Sequence, residues 1–319
     1  MTVRNEAATL PGLLDSVLRQ TVRPAEIVIV DGGSTDGTPD VARGYSDRLP
    51  VRVIEMPGAN ISEGRNAAIE AAQNSIIAVT DAGVRLDPRW LDALVTPLLD
   101  AVADIDVVSG FFVADPQTPF ERAMGATVLP TLRDIDPATF LPSSRSIAFR
   151  KDAWDAIGGY PEWLDYCEDL VFDIRLKELD KRFLFAPQAV VHFRPRSNLL
   201  AFYLQYYRYA RGDGKADLWR KRHAIRYLTY IGGPAIVLFS WRARKSPFGK
   251  VGLLLAASAG AAYTARPYMR LLPMLRDLPA RQSIFALSMV PVIRLTGDIA
   301  KMAGYPVGVL WRLLNYYSR

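Results

Sequence analysis

The sequence predicts an α/β domain, a sheet flanked by helices, followed by a C-terminal helical region that associates with membranes. Three observations carry this. Ile27-Val28-Ile29-Val30 is an unbroken β-branched run of the kind buried on both faces of a sheet. Through the first third of the chain such runs alternate with apolar residues at helical spacing, which calls for a parallel, doubly wound sheet. From Leu199 onward the composition shifts to Tyr, Phe and Trp and to apolar stretches set between Arg and Lys. Residues 1–198 are therefore expected to form the α/β domain, 199–226 an amphipathic interfacial segment, and 227–319 apolar helices of a membrane region.

Taken in order, Leu10, Leu13, Leu14, Val17 and Leu18 mark one face of an amphipathic helix. The Ile27–Val30 strand stops at Asp31, where Gly32, Gly33 and Gly37 free the backbone to turn, and Ser34, Thr35 and Asp36 are of the type that caps a helix at Pro39. A strand is expected over Val51–Ile54, and a helix capped by Ser62 running through Ala72. Ile76–Val79 is a further strand, ending at Thr80-Asp81-Ala82-Gly83, and a helix follows Pro88. Ile105–Phe112 and Arg145–Phe149 read as strands, Pro119–Leu129 as a helix beside the sheet, and Glu168-Asp169 as the start of a helix through Leu179. Phe183–Phe185 and Ala189–His192 are expected to pair as two short strands. The helix after Thr9 needs a strand to feed it, yet only Thr2 and Val3 are placed for one. Either the sheet lacks a strand or the true start lies upstream, and the second is favoured because a missing central strand leaves buried edges unpaired.

The net charge of +6 is unevenly spread, with acids in the first half and Arg and Lys crowding the region after Arg194. That pattern suits anionic headgroups or phosphate ligands better than a compact nucleic-acid domain. Cys167 is the single cysteine, so no intrachain disulfide forms and a reducing compartment is expected. Two histidines, His192 and His223, leave little material for a zinc site, and His223 among Arg220, Lys221 and Arg222 reads as solvated or headgroup-facing. The polar opening Met1–Glu6 carries no secretory signal. Tyr227–Trp241 and Val251–Ala265 lie at or below the short end of the spanning range, and Ser283–Ile293 is too short to span alone. Basic clusters on both sides of these segments leave orientation undecided between spanning and in-plane arrangements.

Asp31, Asp81 and the Glu168-Asp169 pair end or follow strands on what should be one sheet edge, where open α/β sheets collect ligands. Asn5-Glu6, Asp31-Gly-Gly-Ser-Thr-Asp-Gly-Thr38, Ser62-Glu-Gly-Arg65-Asn66, Thr80-Asp81-Ala-Gly83, Gly158-Gly-Tyr-Pro161 and Cys167-Glu168-Asp169-Leu170 follow in the order seen in family 2 glycosyltransferases of the GT-A fold. The chain resembles that family over about residues 2–212. The resemblance implies a GT-A nucleotide-sugar-binding mixed sheet, with Asp31 at the donor's base, Arg65 near the nucleotide, Asp81 at the ribose and metal-bound diphosphate, and Asp169 as general base beside Glu168. A Mg²⁺ or Mn²⁺ ion would neutralise the leaving diphosphate. One departure stands out: the family's Asp-x-Asp reads Asp81-Ala82-Gly83, so the second acid is absent. Either Asp81 holds a metal with His192, or metal binding is weak, or Lys and Arg replace it. Gln205-Tyr-Tyr-Arg208-Tyr209 resembles the Gln-x-x-Arg-Trp motif of membrane-bound polysaccharide synthases, which implies Gln205 and Arg208 near acceptor and diphosphate. An interfacial helix with aromatics and arginines at headgroup level explains the same residues. Arg211, at the following glycine turn, lies where it can reach a phosphate.

The expectation is thus a membrane-associated inverting glycosyltransferase. It would take a UDP- or GDP-sugar donor and a lipid-linked or polysaccharide acceptor, with no nucleic-acid partner, and its catalytic domain would face the cytoplasm. The alternatives are a catalytically inactive GT-A-fold membrane partner and a nucleotidyltransferase on a similar sheet.

Overall fold

The computed structural model describes residues 1–315 and separates into two units, Met1–Asp115 with Pro130–Arg194, and Pro116–Leu129 with Pro195–Arg319. In the first unit the order is β1 (Thr2–Val3), α1 (Leu10–Leu18), β2 (Ile27–Asp31), α2 (Thr38–Arg43), β3 (Val51–Glu55), α3 (Ile61–Ala71), β4 (Ile76–Val79), β5 (Val84–Leu86), α4 (Trp90–Leu99) and β6 (Val107–Ala114). After α5 (Pro119–Val128), which belongs to the second unit, come β7 (Ile147–Arg150), α6 (Lys151–Ala156), α7 (Glu168–Glu178) and β8 (Phe183–Phe193).

The strands form two sheets. β1-β2-β3 is parallel, with Thr2 opposite Val30 and Val30 opposite Ile54. The second sheet runs β4-β7-β6-β8-β5, in which only β6 and β8 are parallel. A single doubly wound parallel sheet, expected from the strand–helix order, is therefore not what forms. β4 pairs antiparallel with β7, a strand that arrives about seventy residues later in the chain (Ile77 opposite Phe149). β1 covers only Val30 and Asp31 of β2, and a cavity of about 370 Å³ lies between Ile27 and Val28 of β2 and Ile77 and Val79 of β4. The Met1 amino group, which donates to the Val28 carbonyl at 2.9 Å, also borders it. Burial, then the nearby Arg65, pushes that amine down to about 5.

Phe183–Phe193 is one strand, not a pair of short ones. Its two halves lie in line along β6, and the register shifts between Ser109 and Phe111, where Gly110 has no room for a side chain. All of β2 is buried. The apolar stripe of α1 (Leu10, Leu13, Leu14, Val17) packs with Ile29, Leu94 and Val108 in one core. A second core joins Ile69 of α3, Val79 of β4, Phe149 of β7, Tyr160, and Phe172 and Leu176 of α7. This second core holds together the elements that carry the acids discussed below.

In the second unit α5 is joined by α8 (Leu199–Lys215), α9 (Arg220–Tyr227), α10 (Gly233–Arg242), α11 (Pro247–Leu271) and α12 (Ala280–Leu314). α5, expected beside the sheet, groups with this unit, where its Ala123 and Met124 pack with Phe202, Leu271, Val290 and Ile293. A π-helical turn at Leu228–Gly232 joins α9 to α10, so the chain stays helical from 220 to 242. Ser283–Ile293 is part of a 35-residue helix, and α12 is, among the described residues, the one helix long and apolar enough to cross a membrane. His223, expected to be solvated or headgroup-facing, is buried. It stacks on Tyr305 at 3.8 Å and its Nε2 lies 3.1 Å from the Asp213 carboxylate.

α8 and α12 approach closely because the contact is made by glycines. A Cβ at Gly304 would run into the Tyr207 carbonyl, and one at Gly308 into the Arg211 carbonyl. Gly304→Val and Gly308→Val are each expected to destabilise the second unit by about 1–3 kcal/mol, read as a lowered melting transition of the full chain in detergent. Gly260→Val, where a Cβ meets nothing within 4 Å, is the control and should shift the transition far less.

Candidate active site

The loop after β2 is built on Asp31. Its carboxylate accepts the backbone N–H groups of Gly33 at 3.0 Å and Ser34 at 2.8 Å, together with the Ser34 hydroxyl, and Gly33 takes the left-handed conformation this turn needs (φ 91°). Asp31 is 2% exposed, so its carboxylate serves its own turn. The loop is stitched to the segment after β1. Asn5 donates to Ser34 Oγ at 2.8 Å and accepts from the Thr35 amide at 2.9 Å, and the Ala7 amide donates to Asp36 Oδ2 at 3.0 Å. Ser34 and Thr35 are thus not helix caps as expected; Gly37 precedes α2.

α3 begins with a reciprocal cap between Asn60 and Glu63 (3.0 and 2.8 Å). Ser62, expected as the cap, is buried and donates to the Leu164 carbonyl at 3.3 Å. One turn on, Asn66 grips the chain ahead of α7: its Nδ2 donates to the Tyr160 carbonyl at 2.9 Å and its Oδ1 accepts the Tyr160 amide at 2.8 Å. The N-cap of α7 is Cys167, whose φ of 66° is unusual for a residue with a side chain. Glu168 and Asp169 follow in the first turn, where the helix dipole favours negative charge.

Arg65 joins these parts. Its Nη2 donates to Asp81 Oδ1 at 2.7 Å and its Nη1 to Glu168 Oε1 at 2.6 Å; the residue is only 4% exposed, and its guanidinium lies 5.3 Å over the Tyr160 ring. Tyr160 in turn stacks on Phe172 at 4.1 Å. Arg145 faces the other side of Asp81, Nε to Oδ2 at 3.6 Å. Burial opposes the charge on Asp81, but Arg65 and Arg145 outweigh it and hold that carboxyl below the usual range. Glu168 goes the other way: burial and the adjacent Asp169 overcome Arg65 and push it up to about 7. Burial, then Asp169, also drives Asp173 well above the usual range. It sits one turn beyond Asp169, with Oδ2 buried and unpartnered.

The structure thus brings Arg65, Asp81 and Glu168 into contact, with Asp169 half-buried beside them. Gln205, Arg208 and Arg211 lie on α8 of the second unit, where Gln205 donates to the Tyr209 hydroxyl at 2.8 Å. His192 is paired across the sheet with Arg85 and Val113, and the charges that act on it are those of Arg85, Asp115 and Asp87. The pairing of Asp81 with His192 as metal ligands is therefore not supported: Asp81 faces two guanidiniums, Gly83 offers no side chain, and among the described residues no three His, Cys, Asp or Glu side chains converge. As arranged, these residues do not fit a divalent cation. Sequence reasoning passed over Arg145 and Asp173. Arg145 meets an acid 64 positions away and left no local signal, whereas Asp173 was legible as an acid at i+4 from Asp169.

Comparison with known families fits this geometry. The model described as glycosyl transferase family 2 matches residues 1–157, and that described as glycosyl transferase family group 2 matches residues 135–295, just over half of the chain. The chain belongs to the family 2 glycosyltransferases. This glycosyltransferase is 29% identical over 224 residues to the succinoglycan biosynthesis protein ExoA of Rhizobium meliloti (strain 1021), covering 66% of this chain and 67% of that protein. It is 31% identical over 119 residues to the validoxylamine A glucosyltransferase of Streptomyces hygroscopicus subsp. limoneus, covering 36% of this chain and only 26% of that one. Among solved structures, the mannosyltransferase PcManGT from Pyrobaculum calidifontis, in complex with GDP-Man and Mn²⁺, matches with a TM-score of 0.54 at 18% identity, over 98% of this chain and 85% of that chain. That likeness establishes the fold, a GT-A-type mixed sheet flanked by helices.

Two outcomes test the Arg65 hub. Arg65→Ala strands the buried Glu168 and strips the half-buried Asp81 of its closer partner, and is expected to lower stability by about 3–5 kcal/mol in denaturant melts; Arg65→Lys, with one ammonium for two carboxylates, should recover only part of this. Because the native state binds the Glu168 proton more tightly than the unfolded chain does, Glu168 favours folding below its unfolded value. That contribution is lost as pH rises from about 4.5 towards about 7. Glu168→Gln should therefore flatten the decline of stability over that window.

Proposed function

We propose that this glycosyltransferase transfers with inversion, from a UDP- or GDP-linked sugar to a lipid-linked or polysaccharide acceptor held at the membrane, with Asp169 as general base. The observation that carries this reading is the Arg65 bridge, which ties the acid after β4 to the helix that presents Asp169. Of the acids on the first two turns of α7, Glu168 and Asp173 are buried and hold their protons more tightly than usual. Asp169 is partly exposed at the helix N-terminus, a setting suited to a carboxylate that receives a proton. In the step proposed, the acceptor hydroxyl gives its proton to Asp169 as its oxygen bonds to the anomeric carbon. The bond from that carbon to the diphosphate oxygen breaks, and the nucleoside diphosphate leaves with the electron pair. One base suffices, and no covalent intermediate is required. Arg145, beside Asp81, is the guanidinium we assign to the diphosphate.

A nucleotide-sugar donor also suits the relatives: PcManGT is described in complex with GDP-Man, and ExoA by name serves succinoglycan biosynthesis. The apolar faces of the second unit and α12 support attachment to the cell membrane, with the catalytic unit on the cytoplasmic side where nucleotide sugars are made. Asp169→Asn is expected to abolish sugar transfer and donor hydrolysis while leaving nucleotide affinity within about twofold, since the amide keeps the shape but takes no proton. Equal turnover by the two proteins would remove Asp169 from this role.

A further inference from the structure

We infer that the α10–α11 hairpin is an interfacial anchor that lies in the plane of an anionic bilayer, with its basic tip among the headgroups. This deepens the membrane reading above and rests on it. From residue 218 to 276 the chain has eleven Arg and Lys and no Asp or Glu. Within that stretch the hairpin exposes large apolar side chains on both arms: Ile236 and Phe239 on α10, Leu254 and Leu255 on α11, and Trp241 and Phe248 flanking the turn, the last 87% exposed. The turn itself presents Arg242, Arg244, Lys245 and Lys250, all exposed. It is firmly built. Ser246 caps α11 by accepting from the Gly249 amide at 3.1 Å, and Gly249 and Gly252 lie against Ala243 and Ser240 so closely that neither tolerates a Cβ. Arg244 also stacks over Trp241 at 5.0 Å.

The apolar lengths disfavour crossing by either arm. The apolar parts, Tyr227–Trp241 and Val251–Ala265, rise about 22 Å each at helical pitch, short of a hydrocarbon core of about 30 Å. Each is bounded by charge at both ends: Arg226 and Arg242, Lys250 and Arg266. To cross, the hairpin would have to carry its four-cation tip through the hydrocarbon and thin the bilayer to its short arms; laid flat, it sinks the apolar side chains and leaves every cation at headgroup depth. The polar side of the arms is already committed within the unit. Arg226 donates to Asp298 of α12 at 2.7 Å, as does the Tyr230 hydroxyl at 3.1 Å, so the face left over is the apolar one. A second copy of the chain is disfavoured as the cover, since two such faces would bring like-charged rims together. Phosphate-bearing lipids complement them.

The full chain should float with vesicles containing phosphatidylglycerol far better than with pure phosphatidylcholine, and added salt should weaken the binding. Replacing Arg244, Lys245 and Lys250 together by Ala should weaken partition on the order of tenfold or more. The Trp241 emission, taken as the difference from Trp241→Phe, should be quenched by lipids brominated near the glycerol ester and little by lipids brominated at the chain ends. Flotation with deep quenching of Trp241, or flotation indifferent to the triple substitution, would overturn the in-plane anchor while leaving membrane attachment intact. Failure to float with either vesicle, with a concentration-dependent dimer in sedimentation, would overturn both and make a second copy the occupant.

Discussion

A guanidinium sealed from water needs its counter-charges within reach, and Arg65 finds them on two elements that the chain order keeps far apart. Asp81 follows β4, 16 residues away, and Glu168 opens α7, 103 residues away. Removing a cation from water costs several kcal/mol unless geometry compensates, so the position of Arg65 fixes where these two elements meet. The rest of α3 serves the same end. The Asn60–Glu63 cap sets its first turn, Ser62 and Asn66 hold the loop before α7, and Tyr160 on Phe172 forms an aromatic wall beside the guanidinium. Charge is apportioned accordingly. Asp81, between two guanidiniums, favours its ionised form, and buried Glu168 and Asp173 hold their protons more tightly than usual. The half-exposed Asp169 is left at the positive end of the helix.

What could be read from the sequence was local. The stripe of α1, the buried run of β2, β4 and the start of α7 each follow from residues within a few positions of one another. What could not be read depends on partners chosen over long separations. β5 is three residues long with alternating burial, too short to register against its neighbours until β8 pairs with it. Pro187 interrupts β8 and made it look like two strands, yet the register shift at Gly110 lets both halves pair with β6. The acids of the site were legible because strand ends and helix starts are marked by turn residues. Their grouping was not, since nothing near Arg65 in the chain signals that it has two carboxylate partners.

The second unit shows the same limit in a charged setting. His223 follows Arg220, Lys221 and Arg222, and local reasoning therefore set it in water, but α9 turns it inward onto Tyr305 and Asp213. The apolar stretch Ser283–Ile293 reads as too short to span because Arg294, Asp298 and Lys301 follow it. In the structure these residues end nothing, because Asp298 is met by Arg226 and Tyr230, and Arg294 donates to the Tyr263 carbonyl at 2.9 Å. A charge ends an apolar helix only where it has no partner inside the protein.

The missing second acid after β4 has a conformational counterpart. Gly83 adopts a φ of 77° as the chain turns from β4 into β5, and a Cβ added there would meet Glu6 and Thr9 at 3.7 Å or more. A side chain there has space but not the right backbone, since a residue with a Cβ gives up about 1 kcal/mol or more in the left-handed region. The glycine therefore shapes the turn, and the carboxylate absent from it is matched by arginines at Asp81 where a second acid would have added negative charge. Arg65 and Arg145 together offset the charges of Asp81 and Glu168. A diphosphate-bearing donor arriving at this edge would meet cations already fixed in place by α3 and by the approach to β7, and the energetic cost of ordering them has been met in folding.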